Sequence, residues 1–279
     1  MKQKIPVINL NKNLLIPIIG LGTWKLKGKV CIEIVKKALE LGYKHIDTAE
    51  VYLNEEAIGD AIKKSNIQRN DLFITSKIWP ENLNYYKVLA SCEQSLARLG
   101  TYYLDQYLLH WPNKKLDYLN IFKAFMKLYE LGKIKSFGVS NFTINHLRDA
   151  ITICKKLKLP LTVNQVEFHP FLYQENLLDF CKKNKIKIVA YSPLAQGRIF
   201  ENSELLELGN KYNKNPSQIT LRWLVSKEII VIPKASSEKH LRENIDIFNF
   251  ELSKKNIKEI DNLNKYERLI DPLFSEFDY

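Results

Sequence analysis

Four residues in the first 110 positions have the types needed to deliver a proton to a carbonyl oxygen: Asp47, Tyr52, Lys77 and His110. A free tyrosine has a pKa of roughly 10, too high to exchange protons easily at neutral pH, and a nearby ammonium would lower it by favouring the phenolate. Lys77 can supply that charge, Asp47 can hold Lys77 by an ion pair, and His110 can hydrogen-bond a substrate oxygen through a ring nitrogen. Together they would form a proton donor aimed at a carbonyl. Taken singly, each has an ordinary explanation: a tyrosine that packs in a loop, a lysine solvated after a strand, a histidine satisfied in a core. Their chemistry therefore depends on whether the fold brings them to one rim.

The elements that carry them repeat. Lys4 to Asn9 and Asn13 to Pro17, joined by a polar Asn-Lys-Asn turn, have the pattern of a short hairpin that plugs one end of the fold. Ile18 to Trp24 reads as a buried strand, and Val30 to Leu41 as a helix stopped by Gly42. Further strands are expected at Tyr43 to Ile46, Leu72 to Lys77, Leu104 to Leu109, Ile134 to Val139, Thr162 to Val166, Ile186 to Ala190 and Ile229 to Ile232. Helical patterns separate them, at Glu55 to Lys64, Asn84 to Leu99, Leu119 to Leu131, Ile144 to Leu157 and Gln174 to Lys183, with a doubled segment at Asn202 to Tyr212 and Ser217 to Ser226. Strands alternating with helices imply a parallel sheet.

Spacing then selects the architecture. Asp47, Lys77, His110, Ser140, Gln165, Tyr191 and Lys234 each follow or end a strand, with separations of 30, 33, 30, 25, 26 and 43 residues. In a (β/α)8 barrel such positions converge on the carboxyl face, where the active sites of that fold are built. A doubly wound sheet is the alternative, but Gly20 and Gly22 lack the third glycine of GxGxxG. The expected fold is α/β, a TIM barrel forming a single domain over residues 1–279, with an N-terminal hairpin plug and a short C-terminal tail.

Composition bounds the partners. A chain of 279 residues, 46% hydrophobic and 26% charged, suits one such barrel with a full core. No apolar run approaches the roughly 20 residues of a membrane span, and the N-terminus lacks a secretory pattern, so a cytoplasmic protein without a membrane partner is expected. Cys31, Cys92, Cys154 and Cys181 are scattered singly, which argues for buried thiols over a metal site or a disulfide. The net charge of +11 is dispersed, with seven arginines among 42 basic residues. Nucleic-acid binding would call for a clustered stripe, whereas a diffuse positive field suits attraction of an anionic cofactor. His45, His146 and His169 are assigned no chemistry, and the Asn141-Phe142-Thr143 sequon is expected to be unused.

From Gly20 to Asn244 the chain resembles the aldo-keto reductases. The resemblance rests on His45-Ile46-Asp47-Thr48-Ala49 with Tyr52 and Asn54-Glu55, on Thr75-Ser76-Lys77, on Leu108-Leu109-His110-Trp111-Pro112 and on Gly138-Val139-Ser140-Asn141-Phe142. Asn164-Gln165, Ala190-Tyr191-Ser192-Pro193-Leu194 and Ile232-Pro233-Lys234 complete it. It implies a barrel that reduces aldehydes and ketones with NADPH or NADH and without a metal. Tyr52 would be the general acid, Lys77 the group that lowers its pKa, Asp47 their anchor and His110 the orienter of the carbonyl.

The same resemblance implies cofactor contacts from Gly22, Thr23, Asp47, Ser140, Asn141, Gln165, Tyr191, Ser192 and Leu194, with Tyr191 stacked on the nicotinamide. Lys234, Ser236, Ser237, His240, Glu243 and Asn244 would hold the nucleotide half. Trp24, Trp79 and Trp111, with Tyr52 and His110, would line the substrate pocket. Ala235 and His240 stand where relatives that prefer NADPH carry Ser and Arg, and histidine lacks the guanidinium fork. NADPH with some tolerance of NADH is expected, since Lys234 and Lys239 remain. The short tail implies a more open site, and many relatives are monomers. The alternative function is a non-catalytic nucleotide-binding or redox-sensing subunit.

Overall fold

The computed structural model describes residues 5–11 and 14–279. The chain begins with β1 (Val7–Asn11) and β2 (Leu14–Pro17), which pair antiparallel as the expected hairpin. Lys4, at its expected start, and Lys12-Asn13 of its polar turn lie outside the described residues. Then follow β3 (Leu21–Gly22), α1 (Gly28–Leu41), β4 (His45–Asp47), α2 (Glu55–Lys63), β5 (Phe73–Ile78), α3 (Tyr85–Leu99) and β6 (Gln106–Leu109). The middle of the chain supplies α4 (Tyr118–Glu130), β7 (Phe137–Ser140), α5 (Ile144–Leu157), β8 (Leu161–Glu167), α6 (Glu175–Lys183) and β9 (Lys187–Tyr191). It ends with α7 (Ser203–Tyr212), α8 (Pro216–Ser226), β10 (Ile230–Val231), α9 (Glu238–Ile245) and α10 (Lys254–Asp261).

Strands β3 to β10 lie parallel in chain order. The first and last close on one another: the Gly20 N–H donates to the Val231 carbonyl at 2.8 Å, and the Val231 N–H donates to the Ile18 carbonyl at 2.9 Å. The expected strand from Ile18 to Trp24 is regular only at Leu21–Gly22, which pair with Ile46 and Asp47 of β4, while Ile19 and Gly22 meet the last strand through the isolated bridges to Val231 and Lys234. A Cβ at Gly22 would come within 2.4 Å of the Ile232 carbonyl oxygen, so the seam needs a glycine there.

Two cores follow from this curvature. Inside the barrel, Phe73, Leu108, Val163, Val189, Ile230 and Ile232 pack with Leu10 and Ile16 of the hairpin, which makes β1 and β2 a plug. The larger core lies between the sheet and the helices. Parallel strands covered on both sides carry continuous apolar runs rather than alternation, which is why these segments stand out in the sequence. Helix ends obey their local signals: α1 stops at Gly42 with φ 102°, and α3 runs from an Asn84 cap to Gly100 with φ 62°. The additional helix α10 buries only Asn256 and Ile260, too thin an apolar stripe to mark it in the sequence.

Candidate active site

Asp47 ends β4 and Lys77 lies near the end of the adjacent β5. Lys77 is fully buried, and its ammonium donates to Asp47 Oδ1 at 2.5 Å and to the Thr48 carbonyl at 2.9 Å. The other oxygen of Asp47 accepts from Gln165 Nε2 at 2.7 Å. A charge at that depth is tolerable only when paired and hydrogen-bonded. Tyr52 closes a single 3-10 turn, Glu50–Tyr52, and its hydroxyl lies 3.5 Å from Lys77 Nζ. His110 follows β6 and packs edge-on against Tyr52 and Trp79, with ring centroids 5.8 Å and 5.1 Å away.

Burial governs the electrostatics. It raises the Tyr52 phenol above the ordinary tyrosine value; Lys77 opposes this and Asp47 adds to it. Lys77 therefore pulls in the expected direction, but desolvation is larger and the net shift is upward. Burial pushes the Asp47 carboxyl up against Lys77 and Gln165. On Lys77, burial lowers the pKa, but Asp47 and Tyr52 outweigh it and keep the group an ammonium. His110 is held well below the usual histidine range by burial and then by Lys77, so its imidazole is neutral at pH 7.

A second network joins the ends of the next strands. The Asn141 amide donates to the His110 carbonyl at 3.0 Å and to Ser140 Oγ at 3.2 Å. Its oxygen accepts from the Tyr191 hydroxyl at 2.7 Å, which fixes that ring. Ser140 Oγ donates to the Gln165 carbonyl at 2.8 Å, and Thr23 Oγ1 donates to the Asp47 carbonyl at 2.8 Å. Asn141 and Ser192 both have left-handed backbone, with φ 63° and 46°. Asparagine tolerates that region better than most residues.

One cavity of about 660 Å³ is lined by Asp47, Tyr52 and His110 together with Gly22, Thr23, Asn141, Gln165, Tyr191, Ser192 and Lys234. Trp24, Trp79 and Trp111 form its aromatic walls, Trp24 being 41% exposed. Other expected residues lie apart from this cavity. Ser140 is buried behind Asn141, and Leu194 is half-buried in the turn after β9. Ser236, Ser237, His240, Glu243 and Asn244 run into and along α9. Ser237 caps that helix by accepting from the His240 N–H at 3.3 Å, while Ser236 and His240 are exposed.

Several lining and supporting residues were not anticipated. Leu269, Ile270, Asp271, Pro272 and Phe274 of the tail line the cavity. Phe274 packs edge-on against Trp79 and Trp111, with centroids 5.8 Å and 5.5 Å away. The tail was expected to leave the site open, but it forms one wall of the cavity. Glu50 accepts from the Trp79 N–H at 2.6 Å and from Asn82 at 3.0 Å, tying the Tyr52 turn to the Trp79 loop. Asn54 donates to the Thr23 and Leu26 carbonyls, and buried Glu55 accepts from Ser76 and Arg98. The Asn54-Glu55 pair stood in the sequence only among the motifs that carry the resemblance, with no supporting role attached; the tail carried no signal, because its partners lie far away in the chain.

Among the described residues, no cluster of His, Cys, Asp or Glu is arranged to hold a metal ion, and no helix is long and apolar enough to cross a membrane. A closed parallel barrel with a buried lysine-carboxylate pair beneath a tyrosine, all at the strands' carboxyl ends, defines a barrel oxidoreductase acting on carbonyl groups. The aldo/keto reductase family profile matches residues 18–265, and the chain belongs to that family. It is 44% identical over 263 residues to a glyoxal reductase of Bacillus subtilis (strain 168), covering 94% of this chain and 94% of that protein. The solved structure of an aldo-keto reductase enzyme from a Medee basin deep-sea metagenome library matches with a TM-score of 0.90 at 42% identity, over 96% of this chain and 98% of that one. A Bombyx mori aldo-keto reductase in complex with NADP matches with a TM-score of 0.88 at 32% identity, over 96% and 95%.

Proposed function

We propose that this chain reduces small aldehydes, ketones and glyoxal-like dicarbonyls to alcohols with NADPH, tolerating NADH less well. The observation that carries this reading is the phenol of Tyr52 held 3.5 Å from the Lys77 ammonium at an aromatic cavity. The name of the Bacillus relative and the NADP complex of the Bombyx relative support it.

The residues present fit such a cofactor. Asn141 and Gln165, both lining the cavity, offer amide groups to a carboxamide, Ser140 holds them from behind through its bonds to Asn141 and to the Gln165 carbonyl, and Tyr191 presents a ring held by its bond to Asn141. Lys234, Ser236 and His240 are exposed at and before the start of α9, where unpaired N–H groups favour anions. When bound, NADPH supplies the hydride. Tyr52 donates its proton from the hydroxyl to the carbonyl oxygen, and Lys77 stabilises the phenolate left behind. Asp47 and Gln165 keep Lys77 in place, and neutral His110 orients the oxygen. The apolar walls admit a small carbonyl compound with an apolar body.

We further read residues 1–279 as one domain, since the hairpin shares the barrel's interior core. The four buried free thiols suit a reducing cytoplasm, and we take the working form to be a monomer. NADPH oxidation with a panel of aldehydes and dicarbonyls tests the function. Tight cofactor binding with no turnover of any of them would favour a non-catalytic nucleotide-binding or sensing subunit instead. For cofactor choice, kcat/KM should favour NADPH; an NADH preference of about tenfold, or ~1.4 kcal/mol, would contradict the roles given to Lys234 and Lys239.

A further inference from the structure

β8 ends at Glu167, whose side chain is fully buried and has no part in the chemistry above. A carboxylate so placed needs donors for its lone pairs. It has three. The Leu269 N–H donates to Oε1 at 2.9 Å, the Ile270 N–H donates to Oε2 at 3.0 Å, and His169 Nε2 lies 2.9 Å from Oε1. Two of these donors are backbone groups of the tail, and both residues line the cavity. The clasp is reinforced through Gln174: its amide donates to the Glu167 carbonyl at 2.7 Å, and its oxygen lies 3.4 Å from Arg268. A few residues further on, the chain delivers Phe274 to Trp79 and Trp111.

We propose that Glu167 is a positioning residue that sets substrate specificity: its carboxylate fixes the tail segment 269–274 as the pocket wall that bulky substrates meet. The inference rests on the carbonyl-reductase reading for its substrate readout, but the clasp itself can be measured without turnover. None of the hydrogen bonds of Glu167 reaches Asp47, Tyr52, Lys77 or His110. In Glu167→Gln one acceptor oxygen becomes a donor facing a backbone or imidazole N–H, so at least one bond of the clasp is lost. A substrate too small to reach Phe274 should not register the change.

Amide hydrogen exchange and steady-state kinetics on the full chain test this. In the wild type the Leu269 and Ile270 amides should exchange at least about tenfold more slowly than in an unstructured peptide, and Glu167→Gln should remove that protection from at least one of them. The variant should raise KM for a bulky aromatic aldehyde by about fivefold or more while KM and kcat for glyoxal, and the Kd for NADPH, stay within about twofold. Phe274→Ala should raise KM for the bulky aldehyde likewise, and adding Glu167→Gln to it should change that KM by less than about twofold further. Unprotected Leu269 and Ile270 amides in the wild type would overturn the proposal even if Glu167→Gln does not fold. So would equal KM changes for the small and bulky substrates. Protected amides in a chain that reduces no carbonyl would instead locate the failure in the reductase reading.

Discussion

At the scale of single residues, the burial that raises the Tyr52 phenol also keeps it protonated. The donor form is therefore full through neutral pH, and the reduction rate should fall only on the alkaline side, above the ordinary tyrosine value of roughly 10. Tyr52→Phe should retain cofactor binding and lose about 10² to 10⁴ of kcat, the usual share of acid catalysis; wild-type kcat would show that the role is wrong. Lys77→Met should be similarly slow, and because Lys77 lowers the phenol, its alkaline limb should move to higher pH. Residue types and order were enough to assemble this group from the sequence. The net direction of the Tyr52 shift was not legible, since it depends on how deeply the fold buries the phenol.

Histidines make a second residue-scale prediction. Burial, then Lys77, lowers His45 to about 3, and His110 moves in the same direction. Below the unfolded value of roughly 6.5, the unfolded chain binds protons that these buried rings refuse, so stability is full above that pH and is lost as pH falls toward the folded values. Each histidine can contribute a slope of up to ~1.4 kcal/mol per pH unit in that window. Urea midpoints measured at pH 7, 6 and 5 should decline; a constant midpoint would mean the rings are solvated.

At the scale of elements, the seam between β3 and β10 leaves no room for a side chain at Gly22. Gly22→Ala would press a methyl onto the Ile232 carbonyl oxygen, which is backbone and cannot rotate away. We expect a loss of about 1–3 kcal/mol, the usual cost of overpacking, read from denaturant unfolding, with weaker NADPH binding alongside. Wild-type stability would mean that the seam yields. The strands and helices themselves were legible because parallel strands are apolar on both faces and the helices carry caps such as Asn84 and Gly100. The tail was not. Its position is set by Glu167, Phe274 and the Glu276 carboxylate near His146, contacts between segments far apart in sequence.

At the scale of the whole molecule, a net charge of +11 dispersed over the surface makes a field and no discrete site. It should draw an anionic cofactor at long range and be screened by salt, so KM for NADPH should rise between low ionic strength and about 0.5 M, while KM for an uncharged aldehyde holds steady. Equal responses of the two would exclude steering. The four cysteines sit outside this picture: burial raises Cys31 to about 11, and Cys92, Cys154 and Cys181 to about 12, which leaves them inert packing groups.

The barrel closes where Ile19 meets Val231 and Gly22 meets Lys234, pairings that join the opening of the chain to its last strand. Gly22 and Thr23 on one side and Lys234 on the other face the same cavity. A dinucleotide bound there as proposed straddles the junction, a removable stitch between the two ends of the polypeptide. At a hundredfold excess over Kd it would add about 2.7 kcal/mol to the closed form. Occupancy and completion of the ring would then be one equilibrium, and resistance to unfolding and proteolysis would follow the supply of reduced nucleotide.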